Sequence, residues 1–424
     1  MYESVPSKLV VVGQGYVGLP IAMRAVEVGY DVIGLDVDES RVKRLADGDS
    51  YIEDIDAATL RSALSTGRYV ASTTYDAATD FDFAVITVPT PLREGLPDLS
   101  FIEQAADNLA PHLRVDATVV LESTTYPGTT EELLIPLLES GSGLKAGLDF
   151  YVGYSPERID PGNPIYGFIN TPKVISGINE DSLGRVGHLY RSLVDEVVVV
   201  SNCRVAELTK LLENTFRHVN IALVNELAMF AHDLGIDVWE AIDASSTKPF
   251  GYMRFTPGPG VGGHCLPVDP SYLSWQVKRT LGTPFRFVEL ANDVNDHMPK
   301  YVVQRIAAML NRERKPVMGS RILLVGLAYK PNTSDVRESP AIKVAELLIA
   351  SGADVVAVDP HVDANGIPEA LALVSLTQEE LSRSDAVVIL TPHDLLDLEM
   401  LNYATLVLDT RGIHNVSAPD IERL

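Results

Sequence analysis

The chain of 424 residues contains only two cysteines and no long apolar run. Two cysteines cannot form a disulfide scaffold, so their number indicates a reducing compartment. No stretch approaches the ~18–20 apolar residues of a membrane-spanning helix. The N-terminus also lacks the basic and apolar regions of a secretory signal. We therefore expect a cytoplasmic protein that does not contact a membrane.

Basic residues are scarce as well. The chain has 34 Lys and Arg against 58 Asp and Glu, which gives a formal net charge of −24. A duplex-binding surface needs clustered Lys and Arg to displace counterions, so nucleic acid is not expected as a partner. The length predicts two or three domains.

Short β-branched runs alternate with helical patterns near both ends of the chain, which predicts parallel sheets with crossover helices. Four segments near the C-terminus, RILLVGL, ADVVAVD, AVVILTP and LVLD, match four N-terminal strands in the same order. This match indicates a second, related domain. The N-terminal strands are expected at residues 8–12, 31–35, 83–88, 118–121 and 150–153.

The middle of the chain has a different pattern. A long helical segment covers residues 205–232, a Gly/Pro-rich loop covers 256–270, and a further helix covers about 289–310. The predicted fold class is α/β, with two Rossmann-like parallel-sheet domains joined by a central all-helical domain that contains a long helix. The expected domains cover residues 1–200, 201–315 and 316–424.

A glycine motif follows the first predicted strand and opens a helix. Gly13, Gly15 and Gly18 allow a tight turn and a close approach of the backbone to a pyrophosphate at the helix N-terminus. Asp36 ends the next strand, where it would accept the ribose hydroxyls and repel a 2′-phosphate. The motif therefore predicts an NAD site. The alternative is a structural turn whose glycines serve packing alone.

Two regions of the middle segment carry candidate chemistry. Lys210 and Asn214 are four residues apart, so they share a face of the long helix and could hold an alcohol or aldehyde oxygen. Taken alone, such a pair is more often part of a solvated helix face. Cys265 lies in the Gly/Pro-rich loop, where a thiolate would be a covalent nucleophile, whereas Cys203 is predicted to be structural.

Seven motifs occur in one order along the chain: GQGYVGLP (13–20), VPTP (88–91), ESTTYPGTT (122–130), YSPERIDPGNP (154–164), AELTKLLENTFRHVNIALVNE (206–226), GGHCLPVDP (262–270) and GLAYKPNTSDVRESP (326–340). Together they resemble those of the UDP-glucose/GDP-mannose dehydrogenase family, the nucleotide-sugar 6-dehydrogenases. The resemblance covers essentially the whole chain.

The resemblance implies a four-electron oxidation, in which the C6 hydroxymethyl of a UDP-sugar becomes a carboxylate and two NAD are reduced. Cys265 would capture the C6 aldehyde as a thiohemiacetal, and a later thioester would be hydrolysed by water. Within the family, the motifs at residues 122–130, 155–164, 247–252 and 257–265 are most like those of the branch that oxidises UDP-N-acetylglucosamine. The alternative is the same chemistry on UDP-glucose, UDP-N-acetylgalactosamine or UDP-N-acetylmannosamine.

The resemblance also implies roles for individual residues, a homodimer built on the long helix, and no metal ion. The basic residue that often comes from the neighbouring subunit would be Lys248 or Arg254. The implied catalytic residues are Cys265, Lys210, Asn214, Asp269, Thr124 and Glu157. The implied NAD-binding residues are Gly13, Gly15, Tyr16, Val17, Gly18, Asp36, Arg41, Thr90, Thr124 and Arg337. The implied substrate-binding residues are Glu157, Arg158, Lys210, Asn214, Lys248, Arg254, Phe255, Gly258, Gly262 and Lys330.

Two other classes of protein would fit part of the pattern. A two-electron β-hydroxyacid dehydrogenase also combines a Rossmann domain with Lys and Asn on a long helix, but it needs neither Cys265 nor a second α/β domain. A nucleotide-sugar sensor without catalytic activity would not need the intact set of Cys265, Lys210, Asn214 and Asp269.

Overall fold

A computed structural model describes residues 7–52, 54–93, 95–160, 163, 165–263, 265–413 and 420–424. The chain divides by its internal contacts into two units. The first unit is Met1–Glu213 with Trp275–Leu281, and the second is Asn214–Ser274 with Gly282–Leu424.

The first unit contains a six-stranded sheet in the order β3-β2-β1-β4-β7-β8, with every pair of neighbours parallel. The order reverses between β1 and β4, which is the switch point where doubly wound folds bind ligands. The strands of the unit are β1 (Lys8–Val12), β2 (Asp31–Leu35), β3 (Tyr69–Ser72), β4 (Phe83–Ile86), β5 (Leu92–Arg93), β6 (Leu96–Pro97), β7 (Thr118–Leu121), β8 (Tyr151–Tyr154), β9 (Lys173–Ile175) and β10 (Val197–Val199). Its first helices are α1 (Gly18–Glu27), α2 (Glu39–Ala46), α3 (Ala57–Ser65), α4 (Ser100–Leu109), α5 (Ile135–Ser142) and α6 (Glu180–Leu193).

Both faces of this sheet are covered, which explains the continuous apolar run in its central strand. Leu9 and Val11 pack on the face that carries α1 and α6, and Val10 and Val12 pack on the face that carries α4 and α5. Successive side chains of a strand point to opposite faces, so a strand buried on both sides must be apolar throughout.

The second unit repeats this architecture, as the matching segments predict. Its parallel sheet has the order β13-β12-β11-β14-β15-β16, which is the order of the first sheet. The strands are β11 (Arg321–Val325), β12 (Asp354–Val358), β13 (Ala372–Leu373), β14 (Ala386–Ile389), β15 (Leu406–Asp409) and β16 (Asp420–Arg423). The long helices that precede this sheet are α7 (Cys203–Asp233), α8 (Val238–Ser246), α9 (Cys265–Leu281) and α10 (Arg286–Arg312), and its own helices are α11 (Pro340–Ala350) and α12 (Gln378–Arg383).

The 31-residue helix α7 begins at Cys203, two residues before the predicted segment, and the Asn202 side chain caps it by accepting a hydrogen bond of 3.0 Å from the Val205 N–H. The predicted fold class is confirmed: two parallel six-stranded sheets are separated along the chain by a helical region. The domain boundaries stay a prediction. Within the described part of the chain, no helix combines the length and apolar composition that crossing a bilayer requires.

One expectation about the middle region is wrong. The Gly/Pro-rich loop was expected to continue to Pro270, but α9 begins at Cys265 and includes both Pro267 and Pro270. A proline in the first turn of a helix removes an N–H that has no partner in the helix, so Pro267 is compatible with a helix start. Asp269 therefore lies on a helix and not in a loop.

Candidate active site

The glycine motif forms a cradle at the start of α1. Gly13 has a φ of +95°, and a Cβ there would lie 2.9 Å from the carbonyl oxygen of Thr87. A Cβ on Gly18 would lie 1.8 Å from the Gly13 carbonyl oxygen, so neither position accepts another residue. Gly15 differs, because no described residue other than its own chain neighbours lies within 4 Å of its Cβ position. Open space at the N-terminus of a helix fits a pyrophosphate.

Asp36 lies directly after β2, at the same edge of the sheet. Its two carboxylate oxygens accept hydrogen bonds from the backbone N–H groups of Gln14 (2.9 Å) and Asp38 (3.0 Å). Two further acceptor sites of this carboxylate are available to ribose hydroxyls. Arg41 lies 3.7 Å from Asp36, where the sequence predicts a basic residue near the ribose. The donor and acceptor groups of this edge fit NAD.

The corresponding carboxylate of the second sheet is Asp359, which directly follows β12 and is fully buried. It accepts hydrogen bonds from four backbone N–H groups, and it lies 3.0 Å from the Nε2 atom of His393. Burial opposes its ionisation, but these hydrogen bonds outweigh burial and lower the pKa of Asp359 to about 2. All its acceptor sites are used, so this carboxylate does not fit a ribose.

The remaining predicted NAD-binding residues of the first unit surround the same edge. Thr90 is buried after β4, and Tyr16 and Val17 are half-buried in the turn before α1. Thr124 is half-buried in the segment after β7.

Glu157 follows β8 and is buried beside two lysines. Its Oε1 atom accepts a hydrogen bond from the Ile159 N–H, and its Oε2 atom lies 3.5 Å from the Nζ atom of Lys173. Burial alone would raise the pKa of Glu157, but the ammonium groups of Lys173 and Lys210 outweigh burial and lower it. A buried carboxylate that stays ionised can serve as a general base.

Lys210 is only 7% exposed. Within the described part of the first unit, its ammonium forms no ion pair shorter than 4 Å, although it contributes to the ionisation of Glu157. A buried ammonium without such a close ion pair can stabilise an oxyanion of the substrate. The neighbouring Arg158 is used differently, because its guanidinium pairs with Glu213 at 2.8 Å and its N–H donates to the Pro172 carbonyl.

Sequence reasoning missed three charged residues of the first unit. Glu122 and Lys173 form a fully buried ion pair, and each interrupts or directly follows an apolar strand, which was the available signal. Glu207, on α7, accepts hydrogen bonds from the N–H groups of Gly128 and Thr130 and from the Thr130 hydroxyl. Burial raises the pKa of Glu207 to about 7. These hydrogen bonds hold residues 128–130, the end of the ESTTYPGTT segment, against α7.

In the second unit, Asn214 and Asp269 are brought together. The Asn214 amide donates a hydrogen bond of 2.5 Å to Oδ2 of Asp269, and both side chains are buried. Asp269 therefore orients Asn214, a contact the sequence does not reveal. Cys265 precedes Asp269 by four residues on α9, so the two share a helix face. The side chain of Cys265, and all of His264, lie outside the described residues.

The glycines of the loop before α9 pack against the second sheet domain. The Gly258 N–H donates to Oδ1 of Asn225 at 2.9 Å, and a Cβ on Gly258 would lie 2.8 Å from Arg411. A Cβ on Gly262 would lie 2.7 Å from the Glu338 carbonyl oxygen. Close approach to a ligand was the expected reason for these glycines, whereas the structure shows close approach to the chain itself. Half-buried Lys330 lies over the Tyr329 ring in the same region.

The other predicted substrate-binding residues of the second unit lie nearer the surface. Arg254 pairs with Asp243 at 2.7 Å, and Lys248 lies over the Phe250 ring at 5.0 Å, so the choice between these two basic residues stays open. The Phe255 ring contacts the Phe216 ring at 5.8 Å. Arg337, predicted to contact NAD, pairs with Asp335 at 2.6 Å. No cluster of three or more metal-ligating side chains occurs among the described residues.

Three sequence profiles of the UDP-glucose/GDP-mannose dehydrogenase family match the chain. The NAD binding domain matches residues 7–194, the central domain matches 204–297, and the UDP binding domain matches 323–416. The chain belongs to this family. It is therefore an NAD-dependent nucleotide-sugar dehydrogenase whose N-terminal domain binds NAD.

Relatives within the family share about a third of their residues with this dehydrogenase. The UDP-N-acetyl-D-mannosamine dehydrogenase of Pyrococcus horikoshii is 37% identical over 388 residues, which cover 91% of this chain and 89% of that protein. The solved structure of the UDP-D-ManNAc dehydrogenase from Pyrococcus horikoshii has a TM-score of 0.88, at 33% identity and 98% coverage of both chains. The NDP-N-acetyl-D-galactosaminuronic acid dehydrogenase of Ralstonia nicotianae is 37% identical over 417 residues, 95% of each chain. These relatives do not support the expected preference for UDP-N-acetylglucosamine, and they favour the UDP-N-acetylmannosamine alternative.

The dehydrogenase's glycine cradle gives a test of NAD binding that leaves the fold intact. Gly15→Val adds a side chain only to open space, so the midpoint of thermal unfolding should stay unchanged. The same side chain would occupy the space for the pyrophosphate, and we expect the Kd for NAD to rise by about tenfold or more. Titration calorimetry with NAD checks this, with Gly184→Val as the matched control, since Gly184 also faces open space. Unchanged NAD affinity in Gly15→Val would refute the site.

Proposed function

We propose that this enzyme oxidises the C6 hydroxymethyl of UDP-N-acetylmannosamine to the carboxylate, with two NAD reduced per sugar. One observation carries the mechanism: Asn214 on α7 is hydrogen-bonded to Asp269 in the first turns of α9, the helix that begins at Cys265. This bond brings a candidate oxyanion donor to the helix of the candidate nucleophile. The named activity of the Pyrococcus horikoshii relative supports the choice of sugar.

The first oxidation needs a group that holds the C6 oxygen while hydride leaves its carbon. NAD, held by the glycine motif and Asp36, would supply the hydride acceptor for both oxidations. Lys210 donates to the C6 oxygen and stabilises its negative charge, and the Asn214 amide, oriented by Asp269, holds the same oxygen. We propose that Thr124 binds a water next to this oxygen, and that this water takes the hydroxyl proton as the hydride leaves the carbon.

The second oxidation needs a tetrahedral carbon, because an aldehyde is a poor hydride donor. The Cys265 thiolate adds to the aldehyde carbon, a C–S bond forms, and the oxygen becomes an oxyanion beside Lys210. Loss of hydride then gives a thioester. Water attacks the thioester carbonyl while the Glu157 carboxylate takes a proton from it, the C–S bond breaks, and the Cys265 thiolate leaves with the sugar carboxylate as product.

The remaining assignments concern binding. We propose that Gly13, Gly15, Gly18 and Asp36 hold NAD, together with Tyr16, Val17, Arg41, Thr90 and Arg337. Lys330 would bind the pyrophosphate of the UDP-sugar, and the residues that enclose the sugar would be Arg158, Phe255, Gly258, Gly262 and either Lys248 or Arg254. The proposed domains remain residues 1–200, 201–315 and 316–424.

The long helix supports a homodimer. One face of α7 exposes six large apolar side chains between 43% and 62% of their area, and they recur at helical spacing. Such a stripe on a helix is typical of an interface between subunits. A single-subunit mass in sedimentation equilibrium would contradict the dimer. The six exposed side chains of this α7 face are Leu208, Leu212, Phe216, Leu223, Leu227 and Phe230.

NAD and nucleotide sugars are cytoplasmic metabolites, so we also propose that the enzyme is cytoplasmic.

The test is the number of NADH formed per sugar consumed, measured on UDP-N-acetylmannosamine, its gluco and galacto epimers, and UDP-glucose. We expect two NADH per UDP-N-acetylmannosamine and the highest kcat/KM for that sugar. Two NADH from another sugar with a higher kcat/KM would keep the mechanism and change the substrate. One NADH from every sugar would contradict the covalent mechanism and favour a two-electron dehydrogenase.

A further inference from the structure

A buried cluster of three titratable side chains lies beside Glu157, entirely within the first unit. Lys173 on β9 forms an ion pair with Glu122, which follows β7, and both side chains are almost fully buried. The Tyr190 hydroxyl on α6 donates to the other oxygen of Glu122. No step of the proposed mechanism uses Glu122, Lys173 or Tyr190.

Lys173 is also the nearest cation to the reactive end of Glu157. The Oε1 atom of Glu157 is used by the Ile159 N–H, whereas its buried Oε2 atom accepts no hydrogen bond from a described residue. The Nζ atom of Lys173 lies 3.5 Å from this Oε2 atom. A small cavity of about 10 Å³, room for one water, is lined by Glu157, Lys173, Arg158 and Thr171 among others.

Lys173 is the one ammonium that lies near both Glu122 and Glu157 in this cluster. A lysine buried with one carboxylate is neutral as a pair, and such a pair is costly to keep unless further hydrogen bonds satisfy it. Here Lys173 lies near the carboxylates of Glu122 and Glu157, and the Tyr190 hydroxyl donates a hydrogen bond to Glu122. Glu122 therefore holds the Lys173 ammonium in place, and this ammonium faces the Glu157 carboxylate.

We propose that Lys173, anchored by Glu122, is a positioning residue for thioester hydrolysis, because its ammonium faces Oε2 of Glu157 and holds that carboxylate, in its charged form, beside the water-sized cavity that both residues line. This proposal rests on the proposed role of Glu157 as general base. It assigns to the Glu122–Lys173 pair a function in the second half of the reaction and none in binding NAD or the sugar.

The charged groups that face Glu157 agree in sign with this role. Lys173 on β9 and Lys210 on α7 both lower the pKa of Glu157 and so favour its ionised form, whereas the charge of Glu157 raises the pKa of Glu122. Burial raises the pKa of Glu122 to about 7, so Glu122 gives up its charge more readily than Glu157 does. Tyr190 on α6 is neutral, because burial raises its pKa. Arg158 pairs with Glu213.

The test is the double variant Glu122→Gln/Lys173→Met in the full-length enzyme, which removes both partners of the ion pair together, so that the Glu122 carboxylate is not left buried without Lys173. Loss of a cation within 4–6 Å raises the pKa of a carboxylate by about one to three pH units. We therefore expect the pKa of Glu157 to rise by about one pH unit or more. It is measured by NMR on enzyme labelled at glutamate Cδ, with the signal assigned by its loss in Glu157→Gln.

The second readout is the rate of thioester hydrolysis against pH, followed as decay of the acyl-enzyme by mass spectrometry. Because the base is active only when ionised, the acid limb of this profile should move to higher pH with the pKa of Glu157. The KM values for NAD and the sugar should stay unchanged. The single variant Lys173→Arg keeps a cation beside Glu157, so the acid limb of its profile should stay at the wild-type pH. The matched control is Glu139→Gln/Lys145→Met, which removes an exposed ion pair of the same unit and should leave the limb in place.

Two results would overturn the proposal and they differ in meaning. An unchanged pKa of Glu157 in the folded double variant would show that the pair does not act on Glu157. A raised pKa with an unmoved hydrolysis limb would show that Glu157 is not the base, so the proposed function of Glu157 fails first. If the double variant does not fold, Lys173→Gln takes the same test, since its amide keeps a hydrogen bond to Glu122.

Discussion

Cys265→Ala is expected to stop formation of the sugar carboxylate, with the steady-state rate of NADH production reduced by at least about 10³-fold. Without the thiolate, the aldehyde has no route to a tetrahedral adduct that can lose a second hydride. The first oxidation is reversible and uses Lys210 and Asn214, so a single turnover should still reduce less than one NAD per active site. Stopped-flow absorbance for NADH and chromatography of the UDP-sugars measure both quantities.

Cys203 provides the matched control, since it is the other cysteine of the chain. It is fully buried as the first residue of α7, and burial raises the pKa of its thiol to about 12, so it is no thiolate at neutral pH. Cys203→Ala should keep two NADH per sugar and lower the free energy of unfolding by about 1 kcal/mol, as for loss of a small buried group. Uronate formation by Cys265→Ala at the normal rate would refute the covalent mechanism.

Lys210→Met is expected to lower kcat by about 10²–10³-fold, the effect of removing one oxyanion donor. The methionine keeps most of the apolar stem, so the buried site stays filled. The oxyanion appears only during reaction, so the KM for the sugar should change much less than kcat. Initial rates at saturating NAD over a range of sugar concentrations separate the two constants.

The removal of Lys210 has a second consequence that helps to identify its effect. Lys210 contributes to the ionisation of Glu157, so the pKa of that carboxylate should rise in Lys210→Met. Lys300→Met, at an exposed position on α10, serves as the control and should leave kcat and the pH profile unchanged. A kcat within threefold of the wild type would mean that Lys210 is not the oxyanion donor.

The sheets could be predicted because their signal is local. An apolar run such as Lys8–Val12 is required by burial on both faces, and the structure has this strand with the predicted bounds. The NAD cradle was equally accessible, because the strand, the glycines and Asp36 lie within one short stretch of sequence. The start of α9 was missed because the Gly/Pro-rich segment before Cys265, together with Pro267 and Pro270, suggests a loop. A helix nevertheless tolerates a proline in its first turn, where Pro267 lies.

The buried ion pairs could not be predicted, because they depend on contacts between distant parts of the chain. Glu122 and Lys173 are 51 residues apart, and Asn214 and Asp269 are 55 residues apart. Periodicity places each residue on its own strand or helix, but it does not say which polar side chains meet. The sugar epimer has the same difficulty, since it depends on the shape of a pocket and not on a motif.

The equivalent carboxylates of the two sheets, Asp36 and Asp359, differ in their hydrogen-bond partners. A protein engineer who wished to give the second domain a dinucleotide site could restore a glycine where Ala328 replaces the residue equivalent to Gly15. That change would fail by itself, because Asp359 is saturated by four backbone N–H groups and His393 and has nothing left to offer a ribose. In the second domain this carboxylate is part of the internal hydrogen-bond network. The second domain therefore lacks a dinucleotide site for two reasons: the hydrogen-bond acceptor sites of Asp359 are occupied, and the glycine motif is incomplete.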